Sequence, residues 1–95
     1  MSSFKVAHIN RQGIDLIIIP LDSSFDYKPS AEQNGVINSL QFHANQAGLR
    51  GTVVPVWRSG GSMKFIAPPN WHPFFRSLTW ADIGANINRE LSIPE

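Results

Sequence analysis

The chain has no cysteine. That excludes a disulfide framework and any thiolate metal site, and it fits a protein kept in the cytoplasm. Long apolar runs are also missing. The longest aliphatic run is LIII at 16–19, far short of the roughly 20 residues that a helix needs to span a bilayer. The first ten residues, MSSFKVAHIN, lack the apolar stretch of a secretion signal. No membrane is expected among the partners. Charge is scarce as well, at 16% of residues, while the apolar fraction of 42% is that of a chain with a folded core. Ninety-five residues make one domain.

Acidic residues are absent from one long stretch. Between Glu32 and Asp82 there is none, whereas Arg50, Arg58, Lys64 and Arg76 give that span a local +4 within a chain of net +1. If the span forms one face, the face is positive and attracts anions; if the four cations point in different directions, they are ordinary solvated side chains.

What is present reads as short strands and two helices. FKVAHI (4–9) and IDLIIIPL (14–21) are strand segments joined by a four-residue NRQG loop. The second is apolar on both faces, so it belongs in the middle of a sheet, with Pro20 ending its ladder. Residues 22–29 are polar and turn-rich. A helix then opens on Ser30 and Gln33 in capping-box spacing, buries Val36, Ile37, Leu40, Ala44 and Ala47, and stops at Gly48. GTVVPVWRS (51–59) and SMKFIAP (62–68) form a second hairpin across Gly60-Gly61, and Pro55 argues for an edge or a bulge. HPFFRSL fits a helical turn. Thr79 and Asp82 cap a last helix whose stripe of Trp80, Ile83, Gly84, Ile87 and Leu91 runs nearly to Pro94. The order β-β-α-β-β-α predicts an α+β, two-layer fold: a four-stranded, largely antiparallel sheet with both helices on one face.

Three groups of residues are candidates for function. The segment FIAPPNWHPFFRSLTW (65–80) holds five aromatics stiffened by three prolines. Large rings of this kind close the end of a small sheet, and Phe65, Phe75 and Trp80 are expected to be buried. Trp71 and His72 are expected at an exposed tip, where with Arg76, Arg58 and Lys64 they could hold a small anionic or aromatic ligand, or nucleic acid. The second group is the first helix. It carries no charged residue from Gln33 to Leu49 and shows an amide stripe of Asn34, Asn38, Gln41 and Asn45, with Phe42 outside the apolar stripe. A solvated polar face explains this pattern, and so does a subunit interface, whose centre is depleted of charge. Phe42, Asn38 and Asn45 are the contact residues on that reading, and the partner is a further copy of the chain.

Chemistry is the third and weakest candidate. His8, His43 and His72 are widely spaced, without metal-ligand spacing, so no metal or cofactor is expected. His8 and His43 share apolar faces. Only His72 lies in a plausible loop site for a general base, and nothing in the spacing brings a carboxylate to it. Ser59-Gly60-Gly61-Ser62 lacks the following helix and the lysine of a phosphate-cradling loop. The combination GTVVPVW, FIAPPNWHPFF and ANINREL resembles short bacterial proteins carried on mobile integron gene cassettes. That resemblance implies no assigned activity and transfers no functional residue; it implies a small α+β protein of a kind often found as a homo-oligomer. The sequence as a whole therefore predicts a self-associating binding module, with an anion or nucleic-acid binder as the alternative and an enzyme last.

Overall fold

The computed structural model describes residues 2–93. Its centre is β2 (Ile14–Pro20), where Leu16, Ile17, Ile18 and Ile19 are all buried. Side chains alternate across a strand, so this run presents an apolar pair to each face of the sheet, and each face must be covered. The antiparallel neighbour on one side is β1 (Ser2–Arg11), paired through Ala7–Ile18 and Arg11–Ile14. On the other side β3 (Thr52–Ser59) runs parallel, with Ile18 opposite Val54. A short β4 (Ser62–Phe65) returns along β3, and β5 (Arg89–Ile93) lies antiparallel to β1. The result is an α+β fold with one open five-stranded sheet in the order β4-β3-β2-β1-β5. Among the described strands only the β2–β3 pair is parallel.

Both hairpins close on two residues. Gln12 and Gly13 have φ of 54° and 78°, and Gly60 and Gly61 have φ of 58° and 87°, the left-handed pairs of the turn whose twist suits adjacent strands. The NRQG connection is thus tighter than its four residues suggest, because Asn10 and Arg11 continue the ladder.

The parallel crossover from β2 to β3 is made by α1 (Ser30–Gln46), which covers one face of the sheet. Leu40 and Ala44 pack there on Val6, Ile17, Ile19, Val53 and Leu91. The opposite face is covered by the segment after β4, which forms a 3-10 turn at Pro69–Trp71, then α2 (His72–Arg76) and α3 (Trp80–Ala85). Trp71, Phe75 and Ile83 pack there on Ala7, Leu16, Ile18, Val54 and Val56. The helices therefore lie on both faces, which corrects the expectation of a single helical layer. The two-sided apolar run of β2 is the physical reason.

A second correction concerns the C-terminal end. The expected helix stops at Ala85, and Leu91 belongs to a fifth strand on the α1 side of the sheet. Two asparagines turn the chain. Asn86 donates from its amide to the Asp82 carbonyl (2.8 Å), closing the helix. Asn88 then receives the His8 N–H on Oδ1 and donates Nδ2 to the His8 carbonyl, each at 2.9 Å, so its side chain imitates one more residue of strand. The N-terminal capping box of α3 is present, with Thr79 and Asp82 bonded reciprocally.

The start of α1 differs from the S-x-x-Q expectation. Pro29 is the cap residue, and the Gln33 amide donates instead to the Phe25 carbonyl (2.9 Å) in the preceding 3-10 turn, Ser23–Tyr27. Its end is as expected. Gly48 has φ 85°, and the Leu49 N–H reaches back to the Ala44 carbonyl at 3.0 Å.

Pro55 meets the expectation of an edge halfway along an interior strand. β4 pairs only Val56–Ser59, so the first half of β3 has an open side. Gln41 of α1 closes it, accepting from the Val53 N–H (2.8 Å) and donating to the Gly51 carbonyl (2.9 Å).

Candidate functional site

The aromatic segment after β4 is mostly core. Phe75 is fully buried and Trp71 is 9% exposed, so the indole expected at an exposed tip faces inward. Its ring meets Phe74 edge-on at 5.7 Å, and Phe74 meets Phe75 at 5.1 Å, so the proline-stiffened turn sets a ladder of rings against the sheet. His72 is half-buried. Its Nε2 lies 2.9 Å from the Ala67 carbonyl, and its ring stands edge-on to Phe65 at 5.3 Å. An imidazole held by a backbone carbonyl inside its own turn orients that turn; no carboxylate is among its partners in the described residues. Phe65 and Trp80, expected inside, are half-buried.

The five residues named as a ligand surface do not all lie on one side of the sheet. Trp57 and Lys64 are cross-strand partners, as are Arg58 and Met63, and consecutive residues face opposite sides of a sheet. Lys64 thus points to the α1 side and Arg58 to the α2 and α3 side. Arg76 is exposed on α2. Lys64 is also engaged: its ammonium lies 3.1 Å from Asp26 Oδ1. Asp26 gathers three donors, since Trp57 Nε1 (3.1 Å) and Ser59 Oγ (3.0 Å) reach the same carboxylate. The hydrogen bonds from Trp57, then Lys64 and Ser59, hold its carboxyl below the ordinary value of 3.8. Together with Phe25 standing edge-on to Trp57 at 4.8 Å, this fastens the 3-10 turn to the β3–β4 hairpin.

The other histidines are likewise accounted for. His8 Nε2 lies 2.8 Å from the Arg50 carbonyl, and His43 stands edge-on to Phe42 at 5.2 Å. Among the described residues no cluster of three or more His, Asp or Glu side chains is arranged to hold a metal ion. No described helix is long and apolar enough to cross a membrane.

The outer face of α1 is different in kind. Phe42 is 59% exposed, two positions from each of the buried helix residues Leu40 and Ala44. Ala31, Gly35, Asn38, Ser39 and Gln46 lie along the same side of the helix, all exposed and none charged. Asn45, a named interface residue, bonds its amide to the Leu49 carbonyl (2.9 Å) and accepts from Gln41 (3.2 Å), so it finishes the helix end as well as facing outward. Asn38 forms no such local bond among the described residues. Beside this face lies a groove of about 480 Å³ between α1 and the β1–β5 edge. Its apolar walls are Phe4, Val36, Leu40 and Ile93, and Lys28 and Glu32 stand at its mouth.

One feature escapes sequence reasoning because its parts are far apart in the chain. Arg11, at the tip of the β1–β2 hairpin, sets its guanidinium 5.6 Å from the centre of the Phe74 ring. Asn10, Gln12 and Asn70 join them around a polar groove of about 600 Å³. No spacing in the sequence pairs residue 11 with residue 74.

The chain matches no family model, no curated protein and no solved structure.

Proposed function

We propose that this chain is a self-associating interaction module that acts by binding rather than by catalysis, and that the outer face of α1 is its contact surface. The observation that carries this reading is Phe42, a large apolar ring 59% exposed on the stretch of α1 that carries no charged residue. A ring left in water on a helix without neighbouring charges forgoes about 1.5–3 kcal/mol of burial and lowers solubility. Burial against another copy recovers that energy. The histidines support the same reading, since each is engaged in local packing or a backbone contact and none faces a carboxylate among the described residues. Native mass spectrometry of tag-free protein tests the proposal: the expected species at micromolar concentration is a dimer or a higher even-numbered oligomer. A monomer throughout the micromolar range would remove it.

A second reading rests on Arg11 and Phe74. A cation stacked on a ring, with the amides of Gln12 and Asn70 nearby, suits a planar anion such as an aromatic carboxylate or a nucleotide base with its phosphate. On this reading binding quenches Trp71 fluorescence, weakens steeply with salt, and is lost in Arg11→Ala. Salt-independent quenching, or quenching that survives Arg11→Ala, would dismiss it.

A further inference from the structure

Gly35 lies inside α1, where glycine weakens a helix, yet nothing among the described residues requires it. A side chain there would meet no atom within 4 Å, and its φ is not in the left-handed region. It borders the apolar groove, and Phe42 lies seven residues further along, about 10 Å away on the same helix face. The face is thus graded: Ala31 and Gly35 are small and occupy its N-terminal half, while Phe42 and Gln46 are large and occupy its C-terminal half.

We infer that the partner of this surface is a second copy of the chain, docked with the two α1 helices antiparallel about a two-fold axis between Asn38 and Ser39. The inference rests on the self-association reading and gives it a geometry. In this register Phe42 of each copy sits over Gly35 of the other and enters the groove walled by Val36, Leu40, Phe4 and Ile93. Ala31 meets Gln46, and Asn38 meets Ser39. A two-fold interface uses one patch twice, so a knob and a hole on the same face satisfy each other in both directions and the assembly closes at two. Antiparallel docking also sets the two helix dipoles side by side in opposite directions, whereas parallel docking brings like ends together. A single helix pair buries on the order of 1,000 Å², the low end for specific association, so the dimer forms at micromolar concentration.

Because the chain has no cysteine, single substitutions report the geometry without interference. Ala31→Cys and Gln46→Cys are to be oxidised separately and as a mixture, and the products weighed. The expected product is a 31–46 heterodimer in the mixture, with neither variant cross-linking alone. Cross-linking of each variant with itself and not with the other would mean parallel helices and overturn the geometry. A wild-type dimer with no cross-link in any combination would also overturn it, while leaving self-association intact on another surface. A wild-type monomer at all concentrations would end both readings. Gly35→Leu supplies an independent check, since filling the hole also improves the helix. The expected result is at least about a tenfold rise in dimer dissociation constant with unreduced thermal stability of the monomer. Unchanged association in that variant would contradict the proposal.

Discussion

At the scale of single residues, several polar side chains serve the fold. Asp26 is the clearest case, because a carboxylate that accepts from Trp57, Ser59 and Lys64 holds the 3-10 turn on the second hairpin. Its carboxyl is held below its ordinary value of 3.8 in the folded state, so the stability it contributes is present above that pH and is lost as pH falls through the lowered value. The melting temperature of the wild type is therefore expected to drop as pH falls below about 4, and Asp26→Asn to start lower and to flatten that dependence. Thermal melts across that range decide it; a wild type and an Asp26→Asn variant that respond identically to pH would refute the assignment. Gly51 is required for a different reason. Its φ is 120°, and a Cβ would run into the backbone of Asp15 on the adjacent strand. Gly51→Ala is expected to cost about 1–3 kcal/mol in denaturant unfolding.

At the scale of elements, amide side chains finish what the strands leave open. Gln41 covers the unpaired start of β3, and Asn88 does the same for His8 just before β5 begins. Gln41→Ala would leave the Val53 N–H and the Gly51 carbonyl without partners, and is expected to destabilise by about 1–3 kcal/mol while an Asn38→Ala change on the same helix is near neutral. Urea titration of the two variants compares them. The amide stripe is legible in the sequence as an uncharged face, but its division of labour is not. Asn38 and Phe42 face outward whereas Gln41 turns toward β3, and a difference of three positions on a helix does not announce which amide meets a strand edge. The end of α3 is hidden in the sequence for a related reason. Ile87 and Leu91 keep helical spacing, yet Asn86 and Asn88 each bond backbone groups with their side chains and divert the chain into β5.

At the scale of the molecule, the sheet arises from the two-sided apolar run of β2, which can be read from LIII alone. That run also implies helices on both faces, an implication that outweighs the simpler two-layer arrangement suggested by the order of elements. The proline-rich segment closes the second face, so Phe75→Ala is expected to cost about 3–5 kcal/mol, whereas Phe42→Ala leaves the monomer's stability nearly unchanged. Composition does not place Trp71, because the same rings and prolines make either a rigid core turn or an exposed stacking surface; only the positions of Leu16, Ile18 and Val54 beneath it decide. Arg58 and Lys64 are close in sequence but separated by the pleat, and the basic span is therefore not one face.

Sedimentation velocity of wild-type protein beside Phe42→Glu, with circular dichroism on both, tests the central claim most directly. The predicted result is a concentration-dependent dimer for the wild type and a monomer with unchanged secondary structure for the variant. Equal association of the two proteins would show that the exposed face of α1 is not where copies of this chain meet.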